Sequence, residues 1–477
     1  MRTSFYFFSA VLLLLSCTTT DHVNVEETDT SSPPILFDLD QIKERGRLTA
    51  IVDNSSTSYF IYRGQPMGYE YELLQRFCEK IGVELEIKIT TSINEAFDML
   101  NKGEGDIIAF FLTVTNERKK KVAFSHYLFT SRQVLVQKKP SGWQKMYTAQ
   151  RDKHLIRDQV ELIEKKVNVR KSSAFVQRLR HLSEEIGGDI IIVEESEELE
   201  TEDLIRKVLN EEIALTVADE AIALVNAAFY PDLDVETPIS FPQQIAWAMR
   251  KNAPALLYAT NTWLDEIKSS SLHSIIYNRY FKVSRNMLER AQSDFSSISG
   301  NRISEYDEII RQASDSLGWD WKMVASIIYQ ESRFQPKVQS WAGARGLMQL
   351  MPATGQRFGA SNLQDPHQNI LAGTRYLQYL DKYWKKHITD STERTRFVLA
   401  SYNAGLGHVQ DAVALANAFE MNPNLWGNHV SEALKMKAKP RHFRHEVVKY
   451  GYCRGEAITA YVDEVIKRYE QYCQLIE

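Results

Sequence analysis

One carboxylate, Glu331, stands in the stretch VASIIYQESRFQPKVQSWAGARGLMQLMPATG that runs over 324–355. Val324, Ile327, Ile328 and Glu331 fall at i, i+3, i+4 and i+7, which is one face of a helix. The acid therefore belongs to an apolar stripe, where a charge is costly unless it is paired or neutralised. Desolvation raises a carboxyl pKa, which is the property a general acid needs near neutral pH. Position alone also admits a plainer role, a carboxylate at the stripe's edge that caps or forms a salt bridge. Asp320 is a candidate N-cap for this helix, and Gly318 a stop for the one before it, whose apolar face is Ile303, Tyr306, Ile309, Ile310, Ala313 and Leu317.

The residues after Glu331 decide between the two roles. Ser340, Gly343, Ala344, Gly346, Leu347, Met348 and Gln349 form a glycine-broken segment that ends at Met351-Pro352, and a second block, SYNAGLG, occupies 401–407, about 70 residues beyond Glu331. In this order the two blocks resemble the lytic transglycosylase family of goose-type lysozyme fold, whose motif runs Glu-Ser and then Ser-x-x-Gly-Ala-x-Gly-Leu-Met-Gln. The resemblance implies that Glu331 is catalytic. It implies that Ser340, Met348 and Gln349 line a saccharide cleft, with Tyr402 and Asn403 on the opposite wall and the Tyr402 hydroxyl near Glu331. Tyr461-Val462 is similar to the family's last cleft block. Related chains often hold a glutamate four residues before that tyrosine; here Ala457 stands there and Glu456 is one place off. Core packing is the competing role for the Met and Tyr side chains.

A two-carboxylate glycosidase needs a base or nucleophile opposite its acid. The next acid in this block is Asp365, and nothing in the sequence places it opposite Glu331. The resemblance implies a non-hydrolytic route in which one acid suffices. Glu331 protonates the glycosidic oxygen and then, as carboxylate, accepts the proton of the muramic acid 6-hydroxyl, closing a 1,6-anhydro ring. The substrate implied is the β-1,4 bond from N-acetylmuramic acid to N-acetylglucosamine in peptidoglycan glycan strands, with no metal or cofactor. The alternatives are a hydrolytic muramidase and a non-catalytic sensor or binding lipoprotein. His442 and His445 in HFRHE do not make a zinc pattern, since no third ligand is spaced to help.

Upstream the pattern changes. Strand-like runs at 48–52, 84–89, 106–111, 134–137, 167–169, 190–193, 213–217 and 245–249 alternate with helical runs at 71–81, 93–101, 174–186, 202–209 and 220–229. This alternation predicts a two-lobed α/β domain. After it the helical runs 369–387, 392–402, 408–418, 430–436, 443–450 and 458–474 predict an all-α domain. The α/β region resembles the bacterial extracellular solute-binding family 3, through GYEYELLQRFCEKIG (68–82), GDIIAFFLTVTNERKKKVAFSHYL (105–128) and ADEAIA (218–223). The resemblance implies a small amino-acid or peptide ligand. Its α-carboxylate would be gripped by Thr113, Arg118 and Ser173, its ammonium by Asp219, and Tyr59 would form an aromatic wall. Arg suits that task because its planar fork binds a carboxylate bidentately. Arg118 also opens the basic run 118–121, of a kind ordinarily solvated, and Asp219 is placed to cap the helix that follows. Phe111 stands where many members carry a small polar residue, which narrows the pocket or changes what fits it.

The 477 residues, 44% hydrophobic and 25% charged, suffice for two or three globular domains, and the net charge of −5 carries no nucleic-acid footprint. Residues 5–15 form an apolar run too short to span a bilayer and fit a signal-peptide core. Leu14-Leu15-Ser16-Cys17 resembles a bacterial lipobox, which implies lipidation of Cys17, and Thr18 after it favours an outer-membrane anchor facing the periplasm. The expected organisation is signal peptide 1–17, tether 18–35, solute-binding-type domain 36–282, linker 283–300 and transglycosylase-type domain 301–477. Cys453 and Cys473 flank a predicted helix roughly 25 Å long, beyond disulfide reach of about 7 Å between Cα atoms.

Overall fold

The computed structural model describes residues 35–282 and 285–476. The signal peptide, the lipobox with Cys17 and nearly all of the tether lie outside the described residues. Among the described residues no helix is long and apolar enough to cross a membrane.

The first region is two α/β lobes. Lobe one is built on a five-stranded sheet in the order Glu84–Ile89, Arg47–Val52, Ile107–Ile108, Ala248–Met249, Ala123–Phe124. Its first three strands are parallel, and Ala248–Met249 runs antiparallel to its neighbours. Lobe two has the order Ile191–Glu195, Lys166–Arg170, Leu215–Asp219, Gln133–Lys138, Leu233–Asp234. The strand pattern at 245–249 is not one strand. Gln243–Ile245 pairs with Phe129–Ser131 in a two-stranded connection between the lobes, and Ala248–Met249 joins the sheet of lobe one. The break lies at Ala246–Trp247, where Ala246 N–H donates to the Leu112 carbonyl and Trp247 N–H to the Ser125 hydroxyl.

The second region is helical, and no β-strand is found among the described residues after Met249. Its central helix, Trp321–Ser332, starts where Asp320 accepts the Lys322 N–H, and it is buried nearly all round, including Ala325 and Tyr329 as well as Val324, Ile327 and Ile328. It packs along the C-terminal helix Gly455–Leu475, which separates the free thiols of Cys453 and Cys473.

Three expectations need correction. The helix before Gly318 begins only at Asp307, because the Asp307 carboxylate takes the N–H groups of Ile303 and Ser304 and holds them in a loop. The run 443–450 is mostly loop after the short helix Pro440–Phe443. Lys449 and Tyr450 donate their N–H groups to Asp411, 2.8 Å each, rather than to a helix. The serine-rich stretch near 293–300 is no loose linker. Ser296 is fully buried, Phe295 accepts the Arg63 N–H, and Ser297 accepts the Ile61 N–H. These bonds fasten it to the hairpin of Phe60–Tyr62 and Gln65–Met67. One continuous apolar core consequently runs from lobe one into the helical region, whereas lobe two keeps cores of its own.

Candidate active site and interlobe cleft

Glu331 sits one residue before the end of its helix, half-buried, and the Tyr461 hydroxyl donates to its Oε1 at 2.7 Å. Burial pushes the Glu331 carboxyl up to about 7, against the smaller opposing pull of the Tyr461 hydrogen bond. The hydroxyl bonded to the carboxylate is thus from Tyr461, on the C-terminal helix. That of Tyr402 points elsewhere, donating to the Met348 carbonyl at 2.6 Å. Tyr402 is still close enough that the Glu331 charge, after burial, pushes its own phenol further up. Asp365, the next acid along, is consumed as a helix cap: it accepts the Gln368 N–H at 2.8 Å at the start of Pro366–Trp384.

The motif loop between Gln335 and Leu350 is held by its own polar groups. Ser340 accepts the Ala344 N–H on its hydroxyl, and the Gln349 amide donates to the carbonyls of Val338 and Gly346. Gly346 is required: its φ is +81° and a Cβ would lie 2.0 Å from the Leu363 carbonyl oxygen. Met348 is fully buried, its thioether against Gly373, so it meets the wall through its backbone carbonyl. Asn403 is exposed. Glu456 is also exposed, in the first turn of the C-terminal helix. His442 and His445 both pack against Phe419, and His442 Nδ1 lies 3.0 Å from the Met436 carbonyl. Among the described residues no group of three or more His, Cys, Asp or Glu side chains could hold a metal.

The loop of Lys449 and Tyr450 adds an element that the motifs do not announce. Asp411 and Lys437 are both buried and paired at 2.8 Å, and the same carboxylate holds the two loop N–H groups. The half-exposed Tyr450 ring then covers Gly407 of the second block, where a Cβ would sit 2.5 Å away.

The interlobe cleft brings together Thr113, Arg118, Ser173 and Asp219 with Phe110 and Phe111. The basic run divides. Arg118 turns inward and donates to the Thr113 carbonyl at 2.9 Å, while Lys119, Lys120 and Lys121 are exposed. Asp219 occupies the N-cap position of Glu220–Phe229 without making the capping bond, which leaves its carboxyl to the cleft. Burial raises that carboxyl to about 7 against the attraction of Arg118, and burial lowers Arg118 to about 10. Ser173 donates its hydroxyl to the Arg170 carbonyl at 2.6 Å. Tyr59 does not line this cleft. It is fully buried in the core, edge-on to Tyr71 at 5.2 Å, because the chain from Thr57 to Gly68 folds back under lobe one.

Sequence reasoning missed the charged residues opposite. Asp53, Arg170, Glu200 and Glu202 also line the cleft. Arg170 pairs with Glu200 at 2.6 Å and also donates to the Thr91 carbonyl of the other lobe. Ser56–Glu202, Ser92–Glu197 and Asn94–Ser172 make further bonds between the lobes. A signal existed: Asp53, Phe110, Arg170 and Asp219 all stand at or just past the carboxyl ends of strands, where open α/β sheets present ligand groups.

Comparison with known proteins agrees with this division. The family described as bacterial extracellular solute-binding proteins, family 3, matches residues 48–283, and the transglycosylase SLT domain matches residues 308–424. A protein of Desulfosudis oleivorans named membrane-bound lytic murein transglycosylase F is 35% identical over 430 residues, covering 90% of each chain. One of the same name from Pseudomonas fluorescens is 31% identical over 435 residues, covering 91% of this chain and 86% of the other. Among solved structures, a mutant of ArgBP from T. maritima is 26% identical, covers 51% of this chain and 99% of that one, and has a TM-score of 0.43. The chain belongs to the membrane-bound lytic murein transglycosylase F family, with a solute-binding module of family 3 followed by a transglycosylase SLT domain.

Proposed function

We propose that the chain cleaves the β-1,4 bond between N-acetylmuramic acid and N-acetylglucosamine in peptidoglycan and leaves a 1,6-anhydro end. The observation that carries this reading is a single desolvated carboxyl, Glu331, raised to about 7, whose hydrogen-bond partner is a phenol and not a second acid. Near neutral pH such a group is populated in both protonation states. It first donates its proton to the glycosidic oxygen as the bond breaks, with the 2-acetamido group of the muramic acid stabilising the anomeric centre. The resulting carboxylate then takes the 6-hydroxyl proton as that oxygen closes on the anomeric carbon, and the acid is regenerated. No water is consumed and no second carboxylate is needed. Ser340 and Gln349 lie on one side of the glycan cleft and Asn403 on the other, with Met348 and Tyr402 joined to each other by the hydrogen bond between phenol and carbonyl. Tyr461 holds the acid.

The solute-binding module takes an amino acid or short peptide between Arg118, Thr113, Ser173 and Asp219, and its occupancy adjusts the enzyme. The support is physical continuity. The hairpin after Thr57 turns at Gly64, whose carbonyl accepts the Tyr472 hydroxyl at 3.0 Å and which sits against Tyr329 and Phe334 at the end of the acid helix. Lipidation of Cys17 anchors the protein to the outer membrane, facing the periplasm. The test is product analysis on purified sacculi. Anhydro products, lighter by one water than reducing-end products, and their loss in Glu331→Gln, are the expected result; reducing ends would identify a muramidase instead.

A further inference from the structure

The wall that follows the acid has a one-sided charge. From residue 332 to residue 380 the sequence holds Arg333, Lys337, Arg345, Arg357 and Arg375 against one carboxylate, Asp365, in a chain whose net charge is −5. All five basic residues are exposed, and among the described residues none of them makes an ion pair, although most other arginines of the chain do so. Asp365 is turned to its helix cap. Among the described residues none of the five is neutralised by an acidic side chain, and only Arg375 and Arg357 are engaged with the fold, one through a carbonyl and the other through a ring.

One of them lines a concavity, and two more stand near residues that line it. Arg345 lines it together with Gln356, Gly359, Ser361, Asn362 and Gln364. Arg375 reaches its rim, donating to the Phe358 carbonyl at 3.1 Å next to Gly359. Arg357 lies beside them over the Tyr379 ring, 4.9 Å from its centroid. The floor is rigid: Gln368 Oε1 accepts the N–H groups of Ser361 and Asn362, and Asn362 accepts that of Gln364. The Arg345 backbone exchanges both of its hydrogen bonds with Leu350, so its guanidinium leaves the same short hairpin that presents the Met348 carbonyl to Tyr402.

We infer that this concavity binds the carboxylates of the peptide stems carried by the glycan, and that the enzyme prefers strands whose stem carboxylates are free to strands in which they are neutralised. The inference rests on peptidoglycan being the substrate. In stem-bearing strands the muramic acid lactyl carboxyl is tied up as an amide and the anions lie on the stems, so unpaired guanidiniums are complementary to the stems and not to the sugar rings. Arginine presents a planar fork that matches a carboxylate, and the surrounding amide side chains match peptide groups. Exposed pairs of this kind are individually weak and screened by salt, so several acting together set selectivity.

The test separates binding from turnover. Full-length Glu331→Gln protein is cosedimented with intact sacculi and with sacculi whose stem carboxylates have been capped as neutral amides, which leaves the cross-links in place. Arg345→Gln in that background is expected to bind intact sacculi about two- to fivefold more weakly, and Arg345→Gln/Arg375→Gln more weakly still. Binding to capped sacculi stays unchanged. The preference for intact material shrinks as salt rises from about 50 mM to about 500 mM. Equal binding to both polymers, or equal losses on both, would overturn the inference. Among the described residues the Arg345 guanidinium makes no hydrogen bond, so that single variant decides the matter should the double variant lose stability. Failure of the parent protein to release muropeptides would count against the enzymatic reading, and the sedimentation result would stand on its own.

Discussion

Removing one hydroxyl should move the enzyme's pH profile. Tyr461 donates to Glu331 Oε1 at 2.7 Å, and this bond favours the ionised carboxyl against the burial that raises it to about 7. A hydrogen bond to a charged group contributes about 1.5–3 kcal/mol. At about 1.4 kcal/mol per pH unit, Tyr461→Phe should raise the Glu331 pKa by roughly one to two units. A general acid works only while protonated, so activity falls as pH rises through its pKa. The descending limb of kcat/KM therefore moves to higher pH in the variant, from near 7 toward about 8–9. The assay is the initial rate of muropeptide release from sacculi between about pH 5 and pH 10. Tyr402→Phe is the internal control. Its hydroxyl donates to the Met348 carbonyl, so its loss should change the plateau and leave the limb in place. A limb that stays put in Tyr461→Phe, or moves to lower pH, would refute the assignment of Glu331 as the acid whose ionisation this phenol controls.

Glu331→Gln should abolish release and also stabilise the fold in a pH-dependent way. The folded carboxyl is raised from 4.5 to about 7, so it binds its proton more tightly than the unfolded one. The wild type thus loses stability as pH rises from about 4.5 to 7, and the glutamine variant gains about 1–3 kcal/mol above pH 7 and nothing below pH 4.5, as Tm against pH would show. Arg118→Lys should weaken amino-acid binding to the isolated ligand cleft of the full chain by about 10- to 100-fold in calorimetry, because a point charge cannot replace a bidentate fork. Gly64→Ala should lower Tm and uncouple turnover from added ligand. Its φ is +74°, and a Cβ would lie 2.7 Å from the Tyr472 hydroxyl and 2.9 Å from the Phe334 and Tyr329 rings. Unchanged ligand dependence in that variant would remove the hairpin from the coupling route.

How much of this was legible beforehand depends on the range of the interaction. The alternation of strands and helices placed Ala174–Ile186 and Glu220–Phe229 to the residue, because local periodicity fixes such helices. The position of Glu331 on a helix followed from the same spacing. What failed was set by partners distant in sequence. Asp411 takes the N–H groups of Lys449 and Tyr450 and prevents a helix that the local pattern favours. Ser125 and Leu112 hold Trp247 and Ala246 and split a strand. The exchange of roles between Tyr402 and Tyr461 has the same origin. Which of two tyrosines reaches a carboxylate depends on how helices 130 residues apart in sequence are packed, and no spacing rule reports that.

Buried carboxylates divide by how completely they are compensated, and the division marks the sites. Asp106 is held by Arg45, Arg250 and the Thr49 N–H, and Asp411 by Lys437 and two backbone N–H groups; both serve the fold. Glu331 has one neutral donor, and Asp219 faces Arg118 with no capping bond of its own. Both are raised by burial to about 7, and so both can change charge near neutral pH. Glu70 tests the rule from the other side. It is raised to about 8, with one oxygen on the Trp247 indole and the other without a partner, yet it lines neither cleft. Its neighbour in charge is Asp53, which does line the interlobe cleft, and Glu70 N–H is bonded to the carbonyl of Thr57, which lines it too. Glu70 thus stands at the head of the helix Tyr69–Ile81, one backbone hydrogen bond from the cleft-lining Thr57 and just after the hairpin of Phe60–Tyr62 and Gln65–Met67.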